Sequence, residues 1–429
     1  MNMQGHISRR RFLKGAASLG IGAVTFPHLI PSSALGLAGS TTPSNRIAMG
    51  FIGVGDMGTA VMQTFIACKD AQAVAVCDVN SKMRERAISI TGLKPEAAYN
   101  DFRELLARND IDAVVIATPD HWHVLQAIAT AKAGKDIYCQ KPLGNTVAEG
   151  RQLVNTVQRY GAVFQHGTQL RSVKNVRFAC ELVRNGRIGK LHTITVGSPQ
   201  GRTIGPQVVE AVPEGFDYDL WLGPAPSAPY TPLRVAKYGW YFISDYSKAG
   251  FVAGHGVHDI DIAQWGMGTE LTGPVEVEGE GVFPTDGLYD TVVTYRLEFK
   301  YANGVKLVMT STDQNPNGVR FEGTDGWVFT RFGIDAHPKS LLNEVISPNE
   351  IRLYVSKLHE QNFLDCVKTR ARTIAPVEVA HRSTTTCLIG GIALKLRRKL
   401  RWDPDNERFI DDPEANRLLG YTMRAPWHL

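Results

Sequence analysis

Residues able to do chemistry gather at three places in this chain. The first is Gly53-Val54-Gly55-Asp56-Met57-Gly58, which follows the apolar run Arg46 to Ile52 and opens a helical pattern reaching Cys68. Gly53 allows a tight turn, Gly55 lets the backbone approach a pyrophosphate, and Gly58 permits close packing of helix on strand. The open N–H groups at the start of that helix, with Asp56 and Met57 in its first turn, can then hold phosphate oxygens. A further apolar run from Ala73 to Cys77 ends in Asp78, where a carboxylate can accept hydrogen bonds from an adenosine ribose. The same carboxylate repels a 2′-phosphate, so NAD is expected over NADP; Lys82 and Arg84 are the cations that could offset it.

The second place is the end of the strand candidate Ile111 to Ala117, followed by Thr118-Pro119-Asp120-His121-Trp122-His123. Ligands bind at that carboxyl edge in doubly wound sheets. Thr118 and Pro119 are expected to face the cofactor, and Trp122 to stack near a nicotinamide. His123 either joins them or packs the helix. Another strand, Lys135 to Cys139, runs through Gln140 into Lys141-Pro142. A lysine at such a strand end can orient a substrate hydroxyl and shuttle its proton, while the proline fixes the chain and could be cis.

The third is Gly250 to Trp265, in which His258, Asp261 and Trp265 recur at helical spacing. A neutral imidazole at His258 can take the hydroxyl proton as hydride leaves. His255 and His258 also have the spacing of zinc ligands, but no third ligand or cysteine cluster accompanies them, so no metal is expected. Gln169 and Arg171 offer an amide and a cation to a hydroxylated ligand, or make contacts between domains. Tyr238, Trp240, Tyr241, Phe242 and Tyr246, with Asp245 among them, suit a sugar whose apolar face stacks on aromatic rings, or equally an apolar core.

The elements that must position these residues read as α/β. Strand and helix patterns alternate from residue 40 to 165, giving a nucleotide-binding Rossmann domain. Residues 166–400 read as a substrate and oligomerisation domain, with strand candidates at Leu191 to Val196, Val292 to Phe299 and Val305 to Thr310. Asn303-Gly304 suits a hairpin turn. Helix candidates cover Val176 to Asn185, Leu358 to Lys368 and Thr384 to Leu396, and residues 401–429 read as an ordered C-terminal arm.

With Gly53 to Gly58, Asp78, Thr118-Pro119, His123, Gln140-Lys141-Pro142 and the His258 segment in this order, residues 43–400 resemble the glucose-fructose oxidoreductase / inositol dehydrogenase / MocA (Gfo/Idh/MocA) family. The resemblance implies a Rossmann domain joined to an α/β domain with an open, mainly antiparallel sheet. That sheet would wall the active site and serve homo-oligomers, dimers or tetramers. It also implies NAD(P)-linked chemistry on sugars, inositols or related polyols, with Lys141 and His258 as catalytic residues. Gln169, Arg171, Tyr241, Asp245, His255, His258 and Asp261 would surround the substrate. Two positions depart from the family pattern. Gly254 stands where an aspartate usually precedes the histidine by four residues, and Gln140 where glutamate often precedes Lys-Pro. Asp245, His255 and Asp261 are the residues able to replace the carboxylate missing at Gly254.

The N-terminus, Ser8-Arg9-Arg10-Arg11-Phe12-Leu13-Lys14 followed by a small-residue apolar stretch to Pro27, reads as a twin-arginine export signal within residues 1–39. The twin-arginine export machinery is then a partner and the periplasm, or another exported location, the destination. That route passes folded proteins, so a tightly held cofactor could be loaded before export. The apolar stretch is too short and too rich in Gly and Ala for a membrane span. Its four cationic charges account for most of the whole-chain net charge of +5, and the balance left gives no reason to expect a nucleic-acid partner. Six scattered cysteines without CxxC spacing read as buried thiols. The function expected is an exported NAD(P)-dependent oxidoreductase acting on a sugar, glycoside or polyol. Alternatives are an enzyme with retained NAD catalysing glycoside cleavage, epimerisation or sugar-to-sugar hydride exchange, and a non-catalytic sugar-binding protein.

Overall fold

Short aliphatic runs without polar interruption become central parallel strands, because both faces of such a strand are covered by helices. In the computed structural model, which describes residues 45–429, such runs supply β1 (Ile47–Ile52) and β4 (Ala113–Ile116); β2 (Ala71–Cys77) and β5 (Asp136–Cys139) carry one polar residue near their start, and the shorter β3 (Ala98–Tyr99) and β6 (Phe164–His166) form the two edges. Their order is β3-β2-β1-β4-β5-β6, with every neighbouring pair parallel. The direction of winding reverses between β1 and β4, and the loops leaving those strands therefore open a crevice at their carboxyl ends. The Gly53 turn and Thr118-Pro119 are those two loops. The export-signal reading of Arg9 to Lys14 and the bounds of the 1–39 segment lie outside the described residues.

The second sheet contains β7 (Leu191–Ser198), β8 (Glu276–Val282), β9 (Thr294–Lys300), β10 (Lys306–Ser311), β11 (Gly318–Gly323), β12 (Trp327–Thr330), β13 (Ile334–His337), β14 (Leu400–Asp403) and β15 (Arg408–Phe409). The order is β13-β12-β11-β7-β10-β9-β8-β14-β15, and only β7 with β10 is parallel. Alternation decides its faces: Tyr295, Leu297 and Phe299 enter the core, while Arg296 and Glu298 point outward. The Asn303-Gly304 turn joins β9 to β10, with Gly304 at φ +84°.

Two boundaries differ from the sequence reading. The helix expected from Thr384 runs over Val377–Leu396, because its polar early turns are buried with partners: Ser383 Oγ donates to Asp261 at 2.9 Å and Thr386 Oγ1 to Gln264 at 2.8 Å. The C-terminal arm begins inside the sheet, since Arg401 pairs with Glu276. It then returns to the first domain, where Trp427 packs on Trp122 with ring centroids 4.7 Å apart. The His359–Thr369 helix also crosses over, setting Phe363 against Phe65 and Tyr138. All six cysteines are buried free thiols. Among the described residues, no helix is long and apolar enough to cross a membrane.

Candidate active site

The glycines of the first turn are required by different neighbours. Gly53 has φ +79°, and a Cβ there would lie 2.8 Å from the Ala117 backbone. A Cβ on Gly58 would come within 1.8 Å of the Gly53 carbonyl oxygen, so the helix can approach only as glycine. Gly55, by contrast, faces open space, with nothing within 4 Å of a built Cβ. The Asp56–Ala67 helix starts without a side-chain cap, which leaves its first N–H groups turned toward that space. Asp78 accepts the N–H of Val54 and of Asn80, each at 2.9 Å; burial raises its pKa and these two bonds oppose the rise. Each carboxylate oxygen keeps a lone pair for a ribose hydroxyl.

A cleft of about 610 Å³ runs from this loop to Lys141. The three glycines, Asp56, Met57, Asp78, Thr118, Pro119, Trp122, His123 and Lys141 all border it, and so does Tyr241 from the second domain. The uncapped helix, the open approach at Gly55 and the carboxylate at the end of β2 fit a dinucleotide. Trp122 shapes the wall and does not offer a free stacking face: its ring is 3% exposed and its indole N–H donates to the Trp221 carbonyl at 3.0 Å. His123 lies between two backbone carbonyls, Pro142 at 2.7 Å from Nδ1 and Thr118 at 2.8 Å from Nε2; burial lowers its pKa to about 4, and the neutral ring donates to one of them.

Lys141 crosses the domain boundary. Its Nζ donates to the Gly254 carbonyl at 2.9 Å and to the Tyr241 hydroxyl at 3.3 Å, and lies 5.4 Å from the Tyr241 ring centroid. The Lys141-Pro142 peptide is cis. Gly254 is glycine for a visible reason: a Cβ there would sit 2.6 Å from two carbons of the Tyr241 ring. Tyr241, stacked on Trp240 at 3.8 Å, thus fills the place where the family pattern has its aspartate. An acid of the first domain also bears on the lysine charge. Asp120, 1% exposed, receives Ser247 Oγ at 2.7 Å on one oxygen and has no protein partner on the other. Burial lowers the pKa of Lys141 and raises that of Asp120, and their mutual attraction opposes both shifts. The sequence reading missed Asp120 because an acid in the first turn of a helix is ordinary there.

His258 lies on the Val257–Met267 helix, four residues beyond the carbonyl that holds Lys141. Its Nδ1 is buried without a protein partner. Burial, then the charge of Lys141, holds its pKa well below the usual imidazole value, so the ring is neutral at pH 7. His255 is turned to the sheet, 3.5 Å from Ser198 Oγ and 3.3 Å from Arg331; burial and the Arg331 and Lys141 charges push its pKa down to about 3.

The other expected substrate residues are placed elsewhere. Arg171 and Asp261, 2% and 1% exposed, form a two-point ion pair at 2.6 and 2.9 Å, and Arg171 also covers the Trp265 ring. A buried guanidinium needs its carboxylate, so this pair locks the helix and neither member is offered to a ligand. Gln169 donates to the Tyr138 hydroxyl at 3.4 Å, toward the core of the first domain. Asp245 is half-buried and does not border the cleft. Neither His255, Asp245 nor Asp261 therefore takes the part of the missing aspartate. Among the described residues, no group of three or more His, Cys, Asp or Glu side chains is arranged to hold a metal ion.

Two family models match the chain: the oxidoreductase-family NAD-binding Rossmann fold over residues 47–168, and the oxidoreductase-family C-terminal alpha/beta domain over residues 178–429. The chain belongs to the Gfo/Idh/MocA oxidoreductase family. Among curated relatives, an alpha-N-acetylgalactosaminidase of Shewanella oneidensis is 31% identical over 204 residues, covering 43% of this chain and 44% of that protein. A glycosyl hydrolase family 109 protein from another Shewanella strain is 32% identical over the same length. The chain thus spans less than half the length of the curated relatives it matches. Among solved structures, aldose-aldose oxidoreductase from Caulobacter crescentus complexed with glycerol aligns with a TM-score of 0.63 at 18% identity, covering 83% of this chain and 99% of that one. A levoglucosan dehydrogenase complexed with NADH and levoglucosan gives the same TM-score, identity and coverage. These likenesses show that this Gfo/Idh/MocA member shares their fold.

Proposed function

We propose that this protein is an exported NAD-dependent oxidoreductase acting on a sugar, glycoside or polyol. The observation that carries the reading is Lys141, held at the end of the dinucleotide cleft by Tyr241 and by the Gly254 carbonyl, four residues before His258. When bound, NAD would supply the hydride acceptor, held by the helix after Gly55 and by Asp78. Lys141 has three donor protons and gives two to protein oxygens, which leaves one for a substrate hydroxyl. His258 takes the proton of that hydroxyl through its neutral ring, and the lysine charge steadies the developing alkoxide. NAD is favoured over NADP because Arg84 is spent on the Asp78 carbonyl and Asn100, at 2.6 and 3.0 Å, while Lys82 does not border the cleft. The half-exposed outer face of the second sheet, with Arg296, Glu298, Arg320 and Glu322, is the surface we assign to a homo-oligomer. Export rests on Arg9 and Arg10; replacing both with lysine should retain the protein in the cytoplasm on cell fractionation.

A second reading, in which NAD stays bound and oxidation is transient within glycoside cleavage, epimerisation or sugar-to-sugar hydride exchange, is favoured by the roof over the adenosine end. There the second domain is stitched to the segments that follow β2 and β3: Ser81 N–H donates to the Gly215 carbonyl at 2.8 Å, Asp217 N–H to the Val79 carbonyl at 2.9 Å, and Asn100 to the Asp217 carboxylate at 2.8 Å. Lys237 pairs with Asp56 at 3.2 Å across the phosphate loop. Native mass spectrometry with isotopically labelled NAD separates the readings. Exchange within a turnover supports the dehydrogenase, and retention over many turnovers supports the internal cycle. Absence of both nucleotide reduction and product with a panel of glycosides and polyols, NAD being bound, would refute both.

A further inference from the structure

The space that a carboxylate at position 254 would need is filled by the Tyr241 ring, and that ring is fixed by its neighbours. Tyr241 belongs to the short turn Trp240–Phe242. Trp240 stacks on it at 3.8 Å, Phe251 packs edge-on with centroids 5.5 Å apart, and a Cβ at Gly254 would fall 2.6 Å from two of its carbons. The hydroxyl is placed as firmly. It accepts from Lys141 Nζ at 3.3 Å, and both residues border the cleft. Its own hydrogen finds no acceptor among the described residues, although Tyr241 is only 9% exposed. A buried O–H left without an acceptor lowers stability, so one that faces a cleft points to a ligand that receives it.

A phenol in this place differs from an aspartate in what it can do. Burial, then the charge of Asp120, raises the Tyr241 pKa well above the usual phenol value, so the group is a donor at pH 7 and not a base. Donation by Lys141 to its oxygen polarises the O–H bond further. Two donors 3.3 Å apart, the Tyr241 hydroxyl and the Lys141 ammonium with its one unused proton, can converge on a single oxygen at ordinary hydrogen-bond distance.

We propose that Tyr241 is a catalytic residue of this site, its hydroxyl donating beside Lys141 to the substrate oxygen on which negative charge develops. This rests on the oxidoreductase reading above and deepens it. The substrate O–H and C–H bonds break, the proton passing to the His258 ring and the hydride to the bound nucleotide. Charge grows on the oxygen as the proton leaves, and Tyr241 stabilises it with a hydrogen bond while keeping its own proton.

The test begins with the NAD-loaded full chain and a panel of methyl glycosides and cyclitols. No turnover by the wild type with any member overturns the oxidoreductase reading and this assignment with it. Given turnover, Tyr241→Phe keeps the ring against Gly254 and removes only the hydroxyl. It should lower the single-turnover rate about 10²-fold, while nucleotide occupancy by native mass spectrometry and the midpoint of chemical unfolding stay at their wild-type values. An unchanged rate overturns the proposal and leaves the oxidoreductase reading standing, and so does a loss that follows lowered occupancy or stability. A tyrosine that only holds Lys141 is distinguished by 3-fluorotyrosine at position 241, at about pH 6 where the phenol is protonated. Fluorine makes the O–H a stronger donor and its oxygen a weaker acceptor. Direct donation to the substrate therefore predicts a faster single turnover, and a slower or unchanged one overturns the proposal. The fluorinated protein decides the question by the same criterion if the phenylalanine variant does not fold.

Discussion

Lys141 and His258 are expected to act in the transition state more than in cofactor association. Lys141→Ala and His258→Ala should each keep nucleotide occupancy yet lose about 10²- to 10⁴-fold in hydride transfer, followed as nucleotide reduction in single turnover. Asp120 gives a finer test, because its charge favours the ammonium form of Lys141 against the effect of burial. If the protonated lysine is the active form, rate falls as pH rises through its pKa. Asp120→Asn removes the favourable charge and lowers that pKa further, so the basic limb of the pH profile should move to lower pH. An unmoved limb would separate Asp120 from the lysine. His258 titrates well below its ordinary value because of burial and Lys141, so no acidic limb should appear between pH 7 and pH 6. The lysine and histidine were legible in the sequence because each ends or opens a recognisable element. Asp120 and Tyr241 were not legible in these roles, since their meeting with Lys141 depends on packing across distant segments.

At the level of elements, Tyr241 and Gly254 form one unit. Gly254→Ala should cost about 1–3 kcal/mol in chemical unfolding through the clash with the ring, and a Tyr241→Gly background should relieve most of it. Equal cost in both backgrounds would deny that the ring sets the glycine. The helix bearing His258 is held from behind by Arg171 and Asp261. Asp261→Asn should lose about 3–5 kcal/mol of stability without altering substrate preference, whereas a substrate contact would change preference first. The helical spacing that placed His258 correctly on its helix also suggested Asp261 as a ligand. Spacing identifies a helix face, but it cannot identify a buried cation arriving from Arg171, ninety positions earlier. The C-terminal arm shows the same limit. Its sequence reads as an ordered arm without showing where it docks: Leu400–Asp403 joins the second sheet and Trp427 packs against Trp122. Trp427→Ala should weaken nucleotide binding in a titration by loosening the cleft wall, and unchanged affinity would confine the tryptophan to stability.

The whole molecule brings together residues that its sequence keeps apart. The parallel first sheet was legible from its aliphatic runs and glycine turn, and the second sheet from alternation at Tyr295, Leu297 and Phe299. The site was only half legible, because one wall of it belongs to each domain and the hydrogen bonds from Lys141 to Gly254 and Tyr241 span 113 and 100 residues. The joint is also where retention and turnover must be balanced. Lys237→Ala, which breaks the pair with Asp56, should speed exchange of labelled NAD with little effect on the chemical step. In the proposed mechanism Lys141 and His258 share one substrate hydroxyl at the end of the dinucleotide cleft. Rapid-mixing absorbance of enzyme-bound nicotinamide, after addition of methyl glycosides or cyclitols, measures that most directly. Reduction in the wild type, and its loss in both alanine variants at equal nucleotide occupancy, is the result predicted; reduction at the wild-type rate in either variant would contradict it.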